Sequence, residues 1–138
     1  MKTEPGTWSW QDQVIKKTTH WDGVRNYQAS HYLKQMRVGD RAFFYHSGAE
    51  RRIVGIVHIS REYYPDFTDD SGRFGMVDVT YDKALPRPVT LAQIKAEPRL
   101  GDLPLLRQSR LSVMPIEPLA WKIICGMGGL DAYEEEEK

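Results

Sequence analysis

Apolar and polar positions along this chain alternate in two different rhythms, which divide it into helices near both ends and strands in the middle. From about Val24 to Met36, the residues Ala29, Tyr32, Leu33 and Met36 recur at i, i+3, i+4 and i+7. That spacing predicts a helix with one buried face, ended by Val38-Gly39-Asp40. Upstream, Ser9 with Asp12 three residues on predicts a capped short helix through Gln13, Val14 and Ile15. Ala42-Phe43-Phe44-Tyr45 and Ile53-Val54-Gly55-Ile56-Val57 are almost unbroken apolar runs, as strands covered on both faces require, with Ser47 to Glu50 as the turn between them. Val77, Val79 and Tyr81 alternate with Asp78, Thr80 and Asp82, the rhythm of a strand with one wet face. Thr90 predicts a cap for a helix over Leu91 to Ala96, stopped by Pro98. Leu111 to Met114 reads as a last strand, and Ala120, Ile123, Ile124 and Met127 as the face of a last helix closed by glycines. The order of elements predicts an α+β domain around a curved or closed sheet.

The segment from about Tyr63 to Gly75 breaks both rhythms. It is polar, contains Pro65, Asp69, Asp70 and Gly72, and has the length usually kept for function. Trp21-Asp22-Gly23-Val24-Arg25-Asn26-Tyr27 is more telling. A turn at Gly23 would stand the Trp21 indole at the surface, beside an arginine and an asparagine amide of the kind that read phosphates and base edges. Stacking surface, amide and guanidinium together suit an unpaired nucleobase. The competing reading makes Trp21 and Tyr27 ordinary core residues beside a helix start.

Length and charge narrow the choice. The 138 residues suffice for one domain with its own core. The formal charge is zero, but residues 131–138 carry five acids and one lysine, a net of −4, so the preceding 130 residues carry +4. The expected division is a domain over residues 1–130 and an acidic, solvated, disordered tail over 131–138. A mildly basic body is compatible with nucleic acid without demanding it. The single cysteine, Cys125, excludes a disulfide framework within the chain and is expected to be inert core. Neither a membrane span nor a signal-peptide pattern is read, so the expected setting is soluble and cytoplasmic, with access to the nucleoid in a prokaryote or a nuclear place in a eukaryote.

Catalytic signatures are missing. His46 and Ser47 are neighbours on a strand end and point to opposite faces, so His46 reads first as a structural histidine, with pocket lining as the alternative. There is no Gly-x-Ser-x-Gly elbow and no phosphate-cradling glycine loop with its lysine. His20, His31 and His58 lack metal-ligand spacing. No cofactor, metal or catalytic residue is expected. Tyr63-Tyr64-Pro65 would form the second wall of an aromatic slot facing Trp21, or else simply pack. Arg107, Arg110 and Ser112 form an ordinary basic loop when taken alone.

Taken in order, several stretches resemble the EVE domain, a PUA-like family. They are Lys2-Thr3-Glu4-Pro5 with Trp8-Ser9-Trp10, Trp21 through Ala29, Val38-Gly39-Asp40, Phe44-Tyr45-His46-Ser47 and Ile53-Val54-Gly55-Ile56. Tyr64-Pro65-Asp66, Arg87-Pro88-Val89-Thr90-Leu91, Arg110-Leu111-Ser112-Val113 and Pro115 complete the set. The resemblance implies a small mixed β-barrel flanked by helices, and non-catalytic binding of DNA or RNA carrying a modified base, of the 5-methylcytosine or 5-hydroxymethylcytosine type. It implies a base flipped into an aromatic pocket. There Trp21 would stack with Tyr64 or Pro65 opposite, Asn26 and Thr3 would read the base edge, and His46 would line the mouth. Arg25, Arg110 and Ser112 would meet the backbone. Where the family often has Ala-Arg-Asn, this chain has Ala29-Ser30-His31, which removes one cation from that helix. The second-ranked reading is an enzyme acting on a modified nucleoside or an amide, and the third is a protein-interaction module.

Overall fold

The structure is a computed structural model, and it describes residues 1–130. The expected acidic tail, 131–138, lies outside the described residues. Strand β1 (Lys2–Thr3) leads into helix α1 (Trp10–Lys16), strand β2 (Thr18–Trp21) and helix α2 (Tyr27–Gln35). Strands β3 (Arg41–His46), β4 (Arg52–Pro65) and β5 (Gly75–Thr90) follow, then helix α3 (Leu91–Ala96), a 3₁₀ turn (Pro98–Leu100), and helices α4 (Pro104–Arg107) and α5 (Pro118–Met127). The class is mixed α+β.

Local chemistry accounts for the helix starts. Ser9 accepts from the Asp12 N–H at 3.0 Å while the Asp12 carboxylate accepts from the Ser9 N–H at 2.9 Å, a reciprocal capping box. Thr90 and Gln93 repeat the arrangement at α3. Helix α2 starts three residues later than its apolar period suggests. Asn26 is its cap, accepting from the Ala29 N–H at 2.9 Å, so Val24 and Arg25 belong to the preceding loop.

The five strands lie in the order β1-β3-β4-β5-β2, with β1 parallel to β3 and the remaining pairs antiparallel. Register shifts interrupt both long ladders, where extra residues bend and twist β3, β4 and β5. Alternate residues of β3 and β4 serve two cores. Phe44, Val57 and Ile59 pack with Trp21, Ala29 and Leu33, whereas Phe43, Tyr45 and Ile56 pack with Ile94, Ile123 and Ile124. Helices on both faces explain why these strands are apolar throughout.

Other expectations about the fold need correction. The sheet is not closed into a barrel: β1 and β2 are its two edges and are not paired. Leu111 to Met114 is not a strand. Its backbone reaches β1 through a single bond, from the Lys2 N–H to the Ser112 carbonyl at 2.9 Å, while Leu111 and Val113 anchor it by burial. Trp21 is not on an exposed turn. It is the last residue of β2, opposite Val77 on β5, and only 7% exposed.

Candidate nucleic-acid interface

The open seam of the sheet forms the candidate site. Lys2 and Thr3 of edge strand β1 and Thr19, His20 and Trp21 of edge strand β2 line a cleft of about 440 Å³, together with Trp8, the loop Asp22 to Asn26, and Ser112. Where a closed barrel would pair its two edges, this chain leaves a concavity walled by side chains from both.

Trp8 is an aromatic residue of the lining that its local sequence does not single out. It is half-buried, its indole N–H donates to Gln13 Oε1 at 2.9 Å, and Gln13 in turn donates to the Lys17 carbonyl at 2.8 Å. Gln13 is fully buried, so the indole is held by a side chain without freedom of its own. The signal available in sequence was Trp8 immediately before a capping serine. Trp21 forms another part of the cleft lining and rests edge-on against Phe44, with ring centroids 5.6 Å apart at 85°.

The polar complement is mixed. The Thr3 hydroxyl donates to the Trp8 carbonyl at 3.1 Å, which leaves its oxygen as an acceptor. Asn26 spends its carbonyl oxygen on the helix cap and keeps its amide nitrogen for donation. Asp22 and Lys2 add one charge of each sign. Lys2 Nζ donates to the Ser109 carbonyl at 2.7 Å, and burial of its stem holds the ammonium below its ordinary range.

Asp66 ties this loop to the rest of the fold. Its side chain is fully buried, and it accepts from the Gly23 N–H at 2.8 Å, Arg25 Nη1 at 3.0 Å, and the Thr68 N–H and hydroxyl at 2.7 and 2.5 Å. Gly23 has φ +81°, a conformation that costs a side-chain-bearing residue and suits glycine. Arg25 is thereby committed to Asp66 and to the Thr68 hydroxyl at 2.9 Å, while its side chain stays 41% exposed. Nothing local in the sequence marks Asp66 for this role, because its partners at Gly23 and Arg25 lie some forty positions away.

Burial pushes the Asp66 carboxyl up, but the Thr68 hydroxyl, the Gly23 and Thr68 N–H groups and the Arg25 guanidinium outweigh it and hold it below the usual range. In the same loop, hydrogen bonds from the Ser71 hydroxyl and from the Phe74 and Ser71 N–H groups hold Asp69 at about 2. Both carboxyls thus titrate lower folded than unfolded. Their stabilisation is complete above the ordinary carboxyl value near about 3.9 and is lost as pH falls through the folded values. The Gly23 amide resonance should therefore titrate with a midpoint clearly below that ordinary value. A midpoint at the unperturbed value would show that Asp66 does not hold the loop.

The remaining sequence candidates lie elsewhere. Tyr64 donates its hydroxyl to Asp78, is pushed up to about 12 by burial and by that carboxylate, and carries the Arg61 guanidinium 3.6 Å above its ring. Neither Tyr64 nor the exposed Pro65 is among the residues lining the cleft, so the wall expected opposite Trp21 is not built from them. Tyr63 turns to α2, where its hydroxyl lies 3.2 Å from Ser30 Oγ. His46 is 7% exposed and also outside the cleft lining. Its Nε2 accepts from the Trp10 N–H at 2.9 Å, so Nδ1 carries the proton toward Glu50 Oε1 at 2.8 Å. Both ring nitrogens are therefore engaged, Nε2 in holding α1 to β3 and Nδ1 in tying β3 to the turn that follows it. Arg110 is exposed, two residues before Ser112. Among the described residues, no group of three or more His, Cys, Asp or Glu is placed to hold a metal ion, and no helix is long and apolar enough to cross a membrane.

The EVE domain family model matches residues 1–127. The chain belongs to the EVE domain family. A Rhodopseudomonas palustris protein solved by NMR is 54% identical, with a TM-score of 0.89, over 94% of this chain and 91% of that one. An Agrobacterium tumefaciens crystal structure is 40% identical, with a TM-score of 0.91 and the same coverages. The human THYN1 protein, crystallised in complex with 5-methylcytosine containing DNA, is 30% identical with a TM-score of 0.87, over 94% of this EVE domain chain and 95% of that chain. Human Thymocyte nuclear protein 1 aligns at 36% identity over 124 residues, 73% of this chain and 55% of its own length. The chain thus spans about half the length of the curated relatives it matches.

Proposed function

We propose that this EVE domain binds nucleic acid carrying a modified base, DNA with a 5-methylcytosine-type base foremost, by receiving one extruded base in the cleft between β1 and β2. The observation that carries the reading is the joint presence of Trp8 and Trp21 in one cleft with Thr3, Asp22, Asn26 and Ser112. Its volume lies within the about 300–1,000 Å³ typical of small-ligand sites, which is ample for a base. The likeness to the human protein bound to 5-methylcytosine containing DNA supports the same choice.

The polar groups match an amino-bearing pyrimidine. The Asp22 carboxylate accepts from an exocyclic amine, as acidic side chains do from cytosine N4, and the Asn26 amide nitrogen donates to a ring nitrogen or carbonyl. Arg25, Arg110 and Ser112 meet the adjacent backbone, which positions the strand without reading it. Extrusion costs a few kcal/mol, and stacking at roughly 1–3 kcal/mol per base must offset it alongside the edge hydrogen bonds. The domain acts by recognition, and the bound oligonucleotide is released unchanged.

The test is fluorescence anisotropy at fixed salt with DNA and RNA oligonucleotides that differ at one base: cytosine, 5-methylcytosine or 5-hydroxymethylcytosine. Trp8→Ala should weaken the preferred oligonucleotide by roughly 1–3 kcal/mol, the value of one stacked base. Equal affinity for all bases, or an unchanged affinity in Trp8→Ala, would refute the reading.

A further inference from the structure

Two of the large apolar side chains left most open to solvent stand at the same end of the molecule as the cleft. Phe67 is 65% exposed and Tyr27 64%. Phe67 occupies the loop between β4 and β5 and meets His20 edge-on, with ring centroids 4.8 Å apart. His20 itself lines the cleft. Tyr27 follows the Asn26 cap and lies against Phe74, ring centroids 4.9 Å apart, with the Arg25 guanidinium 5.7 Å from the same Phe74 ring. An aromatic rim is therefore continuous with the cleft.

We propose that Phe67 is a wedge that enters the base stack of a duplex beside the cleft and fills the gap left by the extruded base. The inference rests on the cleft reading above and adds a function for a residue outside the cleft lining. A wedge must be apolar, exposed and rigidly aimed, since a mobile side chain would lose on ordering what it gains by stacking. Phe67 meets all three conditions. Asp66, its chain neighbour, is pinned to Gly23 and Arg25 of the cleft loop, and Asp69 accepts from the Ser71 N–H at 3.0 Å and the Phe74 N–H at 2.8 Å. The loop is consequently fixed to the same segment that shapes the cleft. Exposed Asp70 and exposed Arg73 give the loop surface one charge of each sign, so its contribution to duplex binding rests on the aromatic ring and not on net charge.

The experiment compares duplex with single strand. The oligonucleotide carries one 5-methylcytosine, and in the duplex a 2-aminopurine occupies the opposite strand next to the orphaned guanine. The wild-type chain should change the 2-aminopurine fluorescence on binding. Phe67→Ala should remove that change and lower duplex affinity about tenfold or more, since the orphaned gap goes unfilled, while leaving single-strand affinity unaltered. Exposure of the side chain means that the variant should fold as wild type, which its unfolding midpoint checks.

Equal loss on both forms would make Phe67 a general contact and overturn the wedge, as would no loss on the duplex. Loss of self-association in Phe67→Ala, with duplex binding intact, would assign the rim to a second copy of the chain instead. The two levels separate cleanly. If Trp8→Ala weakens both forms and Phe67→Ala neither, the wedge alone fails. If Trp8→Ala weakens neither, the cleft reading itself fails.

Discussion

Trp21→Ala is expected to lower the stability of the domain by about 3–5 kcal/mol, the usual cost of truncating a buried large aromatic residue. The indole is 7% exposed, sits opposite Val77 across the β2–β5 ladder, and packs in one cluster with Phe44, Ala29 and Leu33. Removing it leaves a void that the paired strands hold open, so relaxation recovers little. Denaturant unfolding measures the effect as a lower midpoint at unchanged slope. A loss below about 1 kcal/mol, typical of surface positions, would show that Trp21 is a free-standing plate and not a core residue. This burial also decides how the base-binding role of Trp21 must be tested. Loss of binding in the alanine variant would report a damaged fold, whereas Trp21→Phe keeps most of the apolar volume while shrinking the face offered to a base. Trp8, half-buried, packed against the edge of the same core and bonded to Gln13, is the better probe of stacking once the unfolding midpoint of Trp8→Ala has been measured beside its affinity.

Gly55→Ala is the second substitution expected to have a large effect. A methyl group built on Gly55 would lie 2.2 Å from Trp10 Cζ2 and 2.3 Å from Cη2, far inside contact distance. The ring cannot step aside. It is lodged between Phe44 and Tyr81, with centroids at 5.0 and 5.4 Å, and its backbone N–H is bonded to His46. Overpacking of this kind typically costs about 1–3 kcal/mol, and a rigid neighbour puts this site at the upper end of that range. Trp10 is the first residue of α1 and follows Ser9 and Trp8, so displacing it also shifts the wall of the cleft. Binding and stability should therefore fall together. The double variant Gly55→Ala, Trp10→Leu should be less destabilised than the sum of the two single variants, because the clash is gone. Strict additivity would indicate that the glycine is conserving backbone freedom and not making room for the indole.

Both effects arise where strands from distant parts of the chain meet, and that is where the sequence was hardest to read. Much else was legible. The caps at Ser9 and Thr90 are chemical instructions written within four residues, and the helices they open begin where they say. The apolar runs at β3 and β4 and the alternation at β5 reflect burial on two faces and on one, and they survive as strands. The end of α5 falls at the glycines. Local order of this kind needs only a residue and its near neighbours.

What the sequence by itself determined, then, is most of the elements whose signals are periodic or capped, and the family to which the chain belongs; it also singled out the segment 21 to 26, which enters the candidate cleft. The tertiary structure decided the rest. It placed Trp21 in the core, because β2 is formed by pairing with β5 and not by its own four residues. It left the sheet open and made the seam between β1 and β2 the cleft, an outcome of strand curvature to which no single residue testifies. It put Trp8 in the lining and turned Tyr64 away to Asp78. It also joined Asp66 to Gly23 and Arg25, across 43 and 41 positions. A hydrogen bond of that span carries no local signature, since its partners become neighbours only after the cost of closing the intervening chain has been met by the packing of the whole sheet.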